Sequence, residues 1–527
     1  DTIWLSYKLD EKSLTGSNTT ESTRVSKNHP QIYLKGKVKP SYITPSDWES
    51  ILPQTKGITE RVNLTAEFMG SPSRINIKAL DIHTEHRDFS LHANAKLTQS
   101  ETTRDDISDT QTLQDLLLGT FSALDVDLHE ITLTEEFWST LAGQAPDIYK
   151  LIPEQFAHLG GITITGDLLH DKNKTSVDLR ALTGAGNLNT HISLHNQEHY
   201  TGYIDGTNLN IAQIIPESPL TKTNIAVEAQ GSIRKESRSF KEFYNSIEGT
   251  ARATATRTHL LGYEYSEISL EGSYAPKHYE TTLTFDDPNG ALKLHASYDQ
   301  KGRRPRYTAT LRADSLNLHA MQLIDIHENT TFSTSLTADL HGADLDHIVG
   351  KIIIDSIAKH NATEDYLIRD IALYASDPSD KMLSLQADFM HATIRGAFTY
   401  RSLTNSLIEH LHHSLPSLCN KHSICHHPTD NLCLVNMGIS DVTPLRELLL
   451  QPIDIFGKAQ LDILINDPAS ELKLNASIPH IIYDGNTMKA ISLVCHSLRQ
   501  GIDLHAGATL YDDQDNAVTA NIVTQAV

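Results

Sequence analysis

The chain has 527 residues, 39% apolar, 6% aromatic and 21% charged, which is too apolar for a disordered chain and too lean for one thick-cored enzyme of this length. Asp and Glu outnumber Lys and Arg by 66 to 44, leaving a net charge of -22. That excludes the basic footprint of a general nucleic-acid binder and the polybasic patch of a membrane-surface protein. No run approaches the roughly 20 apolar residues that span a bilayer, and residue 1 is Asp, so the chain is expected to be a processed product whose signal or anchor has been removed. Length alone sets an expectation of three to four domains.

Residues 10–28 and 98–112 are polar and Ser/Thr-rich and read as loops. Elsewhere, period-two alternation dominates. Val62, Leu64, Ala66 and Phe68 alternate with polar residues, as do Phe89, Leu91, Ala93, Ala95 and Leu97. Leu113, Leu116, Leu117 and Phe121 have the spacing of a short amphipathic helix. The stretch 135–159 is read as helical, broken at Pro146 and Pro153. Alternation resumes at Leu188, Thr190, Ile192 and Leu194, then at Ile225, Val227 and Ala229.

From residue 266 the strands come almost without pause. Ile268, Leu270, Gly272 and Tyr274 are followed by Tyr279, Thr281, Leu283 and Phe285. Asp-Pro-Asn-Gly at 287–290 turns the chain into Leu292, Leu294, Ala296 and Tyr298. Lys301-Gly302 turns it again into Tyr307, Ala309, Leu311 and Ala313. This predicts an antiparallel meander with one apolar and one polar face. Leu403, Leu407, Leu411 and Leu415 predict a short amphipathic helix stopped by Pro416, and Thr443-Pro444 opens another that runs to Leu450. No helix series alternates with the strands, so a βαβ fold is not expected. A loose repeat, EISLEGSY from Glu267, DIALYASD from Asp370 and AISLVCHS from Ala490, points to an array of similar units. A closed sandwich and an open trough write the same one-sided pattern, and the alternation leaves both open.

Nucleophile elbows, phosphate loops, zinc-protease helices and calcium loops are missing from the sequence, so neither an enzyme nor a cofactor is expected. Gly184-Ala185-Gly186 lacks the third glycine of a dinucleotide motif and reads as a hairpin turn. His412, His413, Cys419, His422, Cys425, His426, His427 and Cys433 cluster in one segment. Their spacing matches no structural zinc pattern. No metal is expected, Cys419, Cys425, Cys433 and His427 being the only alternative set. Cys495 reads as a small buried residue beside Ile491 and Leu493.

The block from Gly161 to Leu418 resembles the TamB-type (translocation and assembly module) proteins of the AsmA-like family, in their Bacteroidota branch. The resemblance rests on GGITITGDL at 160–168, GYIDGTNLNIAQII at 202–215, NIAVEAQGSI at 224–233 and LGYEYSEISLEGSY at 261–274. LTFDDPNGALKLHASYD at 283–299, TATLRADSLNLHAMQL at 308–323 and the segment 385–418 continue it. It implies a mainly β fold, an elongated antiparallel sheet curled into an open trough (β-groove) with a few short amphipathic helices. The implied divisions are a β-rich N-terminal segment, 1–160, a central groove, 161–418, and a further groove unit, 419–527, after the Cys/His loop.

By the same resemblance, the protein would be a periplasmic bridge-like lipid transfer protein in outer-membrane biogenesis. An N-terminal inner-membrane anchor and a C-terminal domain that meets an outer-membrane barrel of the BamA/TamA family are expected outside this chain. The implied cargo is phospholipid, with acyl chains lying on Ile268, Leu270, Tyr274, Leu283, Phe285, Leu292, Leu294, Ala309, Leu311, Ile371, Leu373, Leu385, Phe389, Ile394 and Phe398. The alternatives are an assembly factor for outer-membrane proteins and a closed, adhesin-like β-sandwich array.

Overall fold

A computed structural model describes residues 3–9, 32–48, 57–71, 73–99, 121–144, 149, 154–233, 246–300, 302, 304–324, 329–362, 364–376, 381–414, 430–449, 453–483, 486–498, 501–511 and 517–526. The predicted helix at 113–121 lies outside these residues except for Phe121, which opens a strand, and the residues from Leu415 to Pro428 lie outside them too. The chain forms two compact units, Asp1–Pro276 and Lys277–Val527. Each is mainly β with a few short helices, and every pairing within each is antiparallel, as the alternation predicts. No helix among the described residues is long and apolar enough to cross a membrane.

The N-terminal unit is a meander of β1 (Ile3–Leu9), β2 (Ile32–Ile43), β3 (Val62–Ser71), β4 (Arg74–Thr84), β5 (Phe89–Gln99), β6 (Phe121–Leu133), β7 (Ile162–His170), β8 (Lys174–Thr183), β9 (Gly186–His195), β10 (His199–Leu209), β11 (Thr223–Ile233), β12 (Ile247–Leu260) and β13 (Tyr263–Ala275). Each strand pairs with the next. The sheet does not close into a barrel. Gly184-Ala185 is the two-residue loop of the β8–β9 hairpin, Thr183 facing Gly186. Among the described residues two short α-helices interrupt the meander: α1 (Glu135–Gln144), between β6 and β7, and α2 (Ile211–Ile214), between β10 and β11. Trp138 of α1 is buried, and its indole N–H donates to the Gly160 carbonyl at 3.3 Å.

Bulges explain how long strands keep one apolar face. The five neighbouring pairs from β2–β3 to β6–β7 all shift register at mid-strand. A bulge adds one residue and reverses the side-chain alternation beyond it. The sequence reverses with it. In β4 the apolar positions run Ile75, Ile77, then Leu80, Ile82, and in β6 Leu124, Val126, Leu128, then Ile131, Leu133. Among the non-glycine bulge residues of the two units that take positive φ are Ala79, Asn208 and Ser315. Each donates its amide to a side chain on the next strand, to Asn94 at 3.0 Å, Asn224 at 2.8 Å and Ser333 at 2.8 Å. The opposing polar side chain thus supplies the acceptor that the ladder lacks there.

The C-terminal unit contains β14 (His278–Asp287), β15 (Gly290–Asp299), β16 (Arg306–Leu316), β17 (Thr331–His341), β18 (Val349–His360), β19 (Asp365–Ala375), β20 (Met382–Ala387), β21 (Met390–Ala397), β22 (Leu432–Ile439), β23 (Ile453–Phe456), β24 (Ala459–Asn466), β25 (Glu471–Tyr483), β26 (Asn486–Leu498), β27 (Gly501–Tyr511) and β28 (Ala517–Ala526). Pro288-Asn289 is the loop of the β14–β15 hairpin, so the predicted turn sets the register Leu283 to Leu294. The meander is broken once: β22 pairs with β24, while β23 and β24 share one edge of β25. Pro479 of β25 stands opposite their junction and has no amide to donate. Gly457 takes φ +89 there, and a Cβ on it would meet the Pro479 ring at 3.2 Å. Among the described residues the unit also has two α-helices, α3 (Tyr400–Ser414) between β21 and β22, and α4 (Thr443–Leu449) between β22 and β23, both where helical spacing was read.

Candidate functional site: the apolar face

Residues directly opposed across strands point to the same face of a sheet. In the C-terminal unit the register links them into continuous rows. One runs Tyr279, Tyr298, Tyr307, Leu340, Gly350, Ala375, Leu383, Ile394, Val435, Ile463, Leu474, Cys495, Leu504. The second runs Thr281, Ala296, Ala309, Ala338, Ile352, Leu373, Leu385, Ala392, Met437, Leu461, Ala476, Leu493. The third runs Leu283, Leu294, Leu311, Leu336, Ile354, Ile371. The opposite face carries polar rows such as Thr282, His295, Thr310, Thr337.

Across β14–β17 these rows make a furrow. The small side chains of Thr281, Ala296, Ala309 and Ala338 form its floor. Tyr279, Tyr298, Tyr307 and Leu340 stand on one side of the floor and four leucines on the other. The cleft between the tyrosine row and the floor measures about 310 Å³. The tyrosines form a ladder, with ring centroids 5.6 and 5.3 Å apart. None of the wall leucines is fully buried. A groove with apolar walls, a shallow small-residue floor and little polar lining suits a methylene chain and reads no polar group.

The N-terminal unit repeats the arrangement. Ile77, Ala95, Val126, Leu168, Val177 and Ile192 form one row, and Ile82, Leu91, Ile131, Ile164, Ala181 and Leu188 another. Ile192 and Leu270 on this face are 42% and 44% exposed. Tyr200 crosses two strands to bond the Tyr274 hydroxyl and, at 3.1 Å, the Glu248 carbonyl. Gly231 and Gly249 make room for it, since a Cβ on either would lie within 2.5 Å of the Tyr200 hydroxyl. A larger cleft, about 660 Å³, involves the polar face, lined by His191, Tyr203, Glu228, Arg252 and Glu271, and its charged wall does not suit a hydrocarbon.

The residues read as groove lining fall into place as follows. Ile268, Leu270 and Tyr274 lie on the apolar face of the N-terminal unit, opposite Ala255, Ala253 and Gly249. Leu283, Leu294, Leu311 and Ile371 share one row, while Ala309, Leu373 and Leu385 share another. Phe285 and Leu292 face each other one step further along, and Ile394 continues the tyrosine row. Phe389 sits in the β20–β21 turn, and Phe398 just beyond β21; both are buried. The alternation also contained Tyr279, Tyr298 and Tyr307, but only the register set by the hairpin turns places them beside the alanine floor.

Phe398 belongs to a second environment on the same face. With Cys433, Ile463, Ile465 and Leu472 it forms a packed cluster, against which Tyr400, Leu403 and Leu407 of α3 lie, together with Leu383, Ile394, Val435, Leu461 and Leu474 of the rows. Of the cysteine set, Cys419, Cys425 and His427 lie outside the described residues. Cys433 is a free thiol in this cluster; burial, with Asp467 as a lesser cause, pushes its pKa up to about 11. Cys495 is buried on the apolar face, as read from its neighbours. Comparison of the chain with protein-family models, with curated proteins and with solved structures finds no match.

Proposed function

We propose that this chain is a non-enzymatic lipid-binding segment whose apolar faces hold phospholipid acyl chains and pass them along the rows. The observation that carries the reading is the furrow over β14–β17: a continuous apolar strip, half-exposed, with an alanine floor between tyrosine and leucine walls. An apolar strip of this extent exposed to water is costly unless something apolar covers it. A strip that recognises only hydrocarbon lets a chain slide, because no position holds it by a directional bond. In the TamB-like reading the segment works in the periplasm, between an inner-membrane anchor and an outer-membrane barrel, and moves phospholipid between the two membranes.

Photo-crosslinking groups at Leu283, Leu294 or Leu311 are expected to capture phospholipid in cells, and groups at Lys293 or Thr282, on the opposite face, are not. Lipid extraction and mass spectrometry of the purified chain identify the bound species. Equal labelling of both faces, or no lipid on the purified chain, overturns the reading.

A further inference from the structure

We infer that α3 is a gate seated on the lipid path, covering the apolar rows over β20–β25 and able to leave them. The inference rests on the lipid-binding reading and adds its regulation. The strands β21 and β22 pair along their whole length, from Met390 opposite Ile439 to Ala397 opposite Leu432. A short hairpin loop would join them, yet residues 398–431 stand between, and α3 is the longest helix among the described residues. The ladder therefore does not need α3. What α3 does is lay Tyr400, Leu403 and Leu407 on a cluster made of Ile463, from the row that lies open as Tyr279, Tyr298 and Tyr307 at the furrow, and of Cys433, Ile465 and Leu472, from the row beside it, with Ile394, Val435 and Leu474 of the tyrosine row packed against the same cluster. Beneath it Leu472 is 0% and Cys433 2% exposed.

Polar ties along the rim hold α3 down. Asp467, in the β24–β25 turn, accepts from the Ser406 hydroxyl at 2.5 Å and from the Asn431 amide and side chain at 2.8 and 3.0 Å, and its carboxylate lies 2.9 Å from His410 Nε2. The Asn431 side-chain oxygen accepts from the Thr399 amide at 3.2 Å and the Ser402 hydroxyl at 2.9 Å. At the start of the helix Asp346 accepts from the Tyr400 amide at 2.7 Å. Lys381 donates to the Phe398 carbonyl at 2.8 Å and lies 4.4 Å from the centre of the Tyr400 ring. These are hydrogen bonds to a few side chains, with no strand pairing. A helix held in this way can be released in one cooperative step while the sheet beneath stays paired.

The test uses the full chain with p-benzoylphenylalanine at Leu311, in the furrow, or at Val435, beneath α3, and vesicles of phosphatidylethanolamine and phosphatidylglycerol as the lipid source. With α3 in place, lipid adducts are expected at 311 and few at 435. Two variants free the face: one replaces residues 398–431 by Asn-Gly, and one carries Leu403→Gln and Leu407→Gln. In either, adducts at 435 are expected to rise at least about fivefold, with those at 311 unchanged. Adducts at 311 with no rise at 435 in a folded variant overturn the gate and leave lipid binding standing. No adduct at either position overturns the lipid reading itself. Loss of folded protein in both variants, read by circular dichroism, makes α3 part of the core and also overturns the gate.

Discussion

The furrow over β14–β17 and the covered patch over β20–β25 lie on one apolar face, written with the same alternation. At the furrow, Tyr298, Leu294 and Leu311 are only half-buried, while under α3 Leu472 is sealed from solvent. An apolar strand face is therefore a surface whose state depends on what covers it. Where the chain supplies the cover, the face is sealed from solvent; where it does not, the face is open to an apolar ligand.

One charge placed in each region separates a covered face from an open one. Leu472→Asp buries a carboxylate without a partner and is expected to cost on the order of 3–5 kcal/mol. For a unit of this size that lowers thermal melting by roughly 10 °C. Leu294→Asp leaves the carboxylate in contact with water and is expected to keep nearly unchanged melting while lowering lipid recovered with the purified chain. Equal melting losses would make the furrow core as well.

Asp467→Ala comes next. It strips the acceptor from Ser406 and Asn431, which are 0% and 1% exposed, and is expected to cost about 1–3 kcal/mol. Hydrogen exchange should then quicken in α3 before it quickens in β24 and β25. Uniform quickening across all three would mean that the helix and the sheet form one unit.

A smaller, pH-dependent effect is expected at α4. Lys359 at 2.6 Å holds the Glu447 carboxyl below its ordinary value of 4.5, by hydrogen bond first and charge second. Because the folded value is lowered, the stabilisation is present above pH 4.5 and fades as pH falls through the folded value. Acid is therefore expected to weaken the docking of α4, and Glu447→Gln to flatten that part of the pH profile. A variant that keeps the full acid sensitivity would place its source elsewhere.

The smallest expected change in stability comes from Ala309→Phe. The ring would stand in the furrow at a half-exposed position, so the free energy of unfolding should change by less than about 1 kcal/mol. Lipid adducts at Leu283 and Leu311 should fall, because the floor is filled. Unchanged adducts would show that hydrocarbon does not lie along the alanine row.

Alternation made β3, β5, β9, β11 and β13–β16 legible, with their faces and the turns between the last of them, because these are local properties. Alternation marks a strand with unlike faces, and Asp-Pro-Asn-Gly at 287–290 makes a turn, whereas the bulge between Ile77 and Leu80 emerged only from the strand register. The helix at 400–414 was legible too, from Leu403 and Leu407. Where that helix lies was not legible. It docks through Asp346 and Asp467, 54 and 61 residues from their partners, and through rows assembled from strands far apart in the chain. Which stretch of the apolar face was covered and which stayed open is settled by the packing of distant segments, because alternation records that a side chain faces away from the polar side and carries no record of what arrives to cover it.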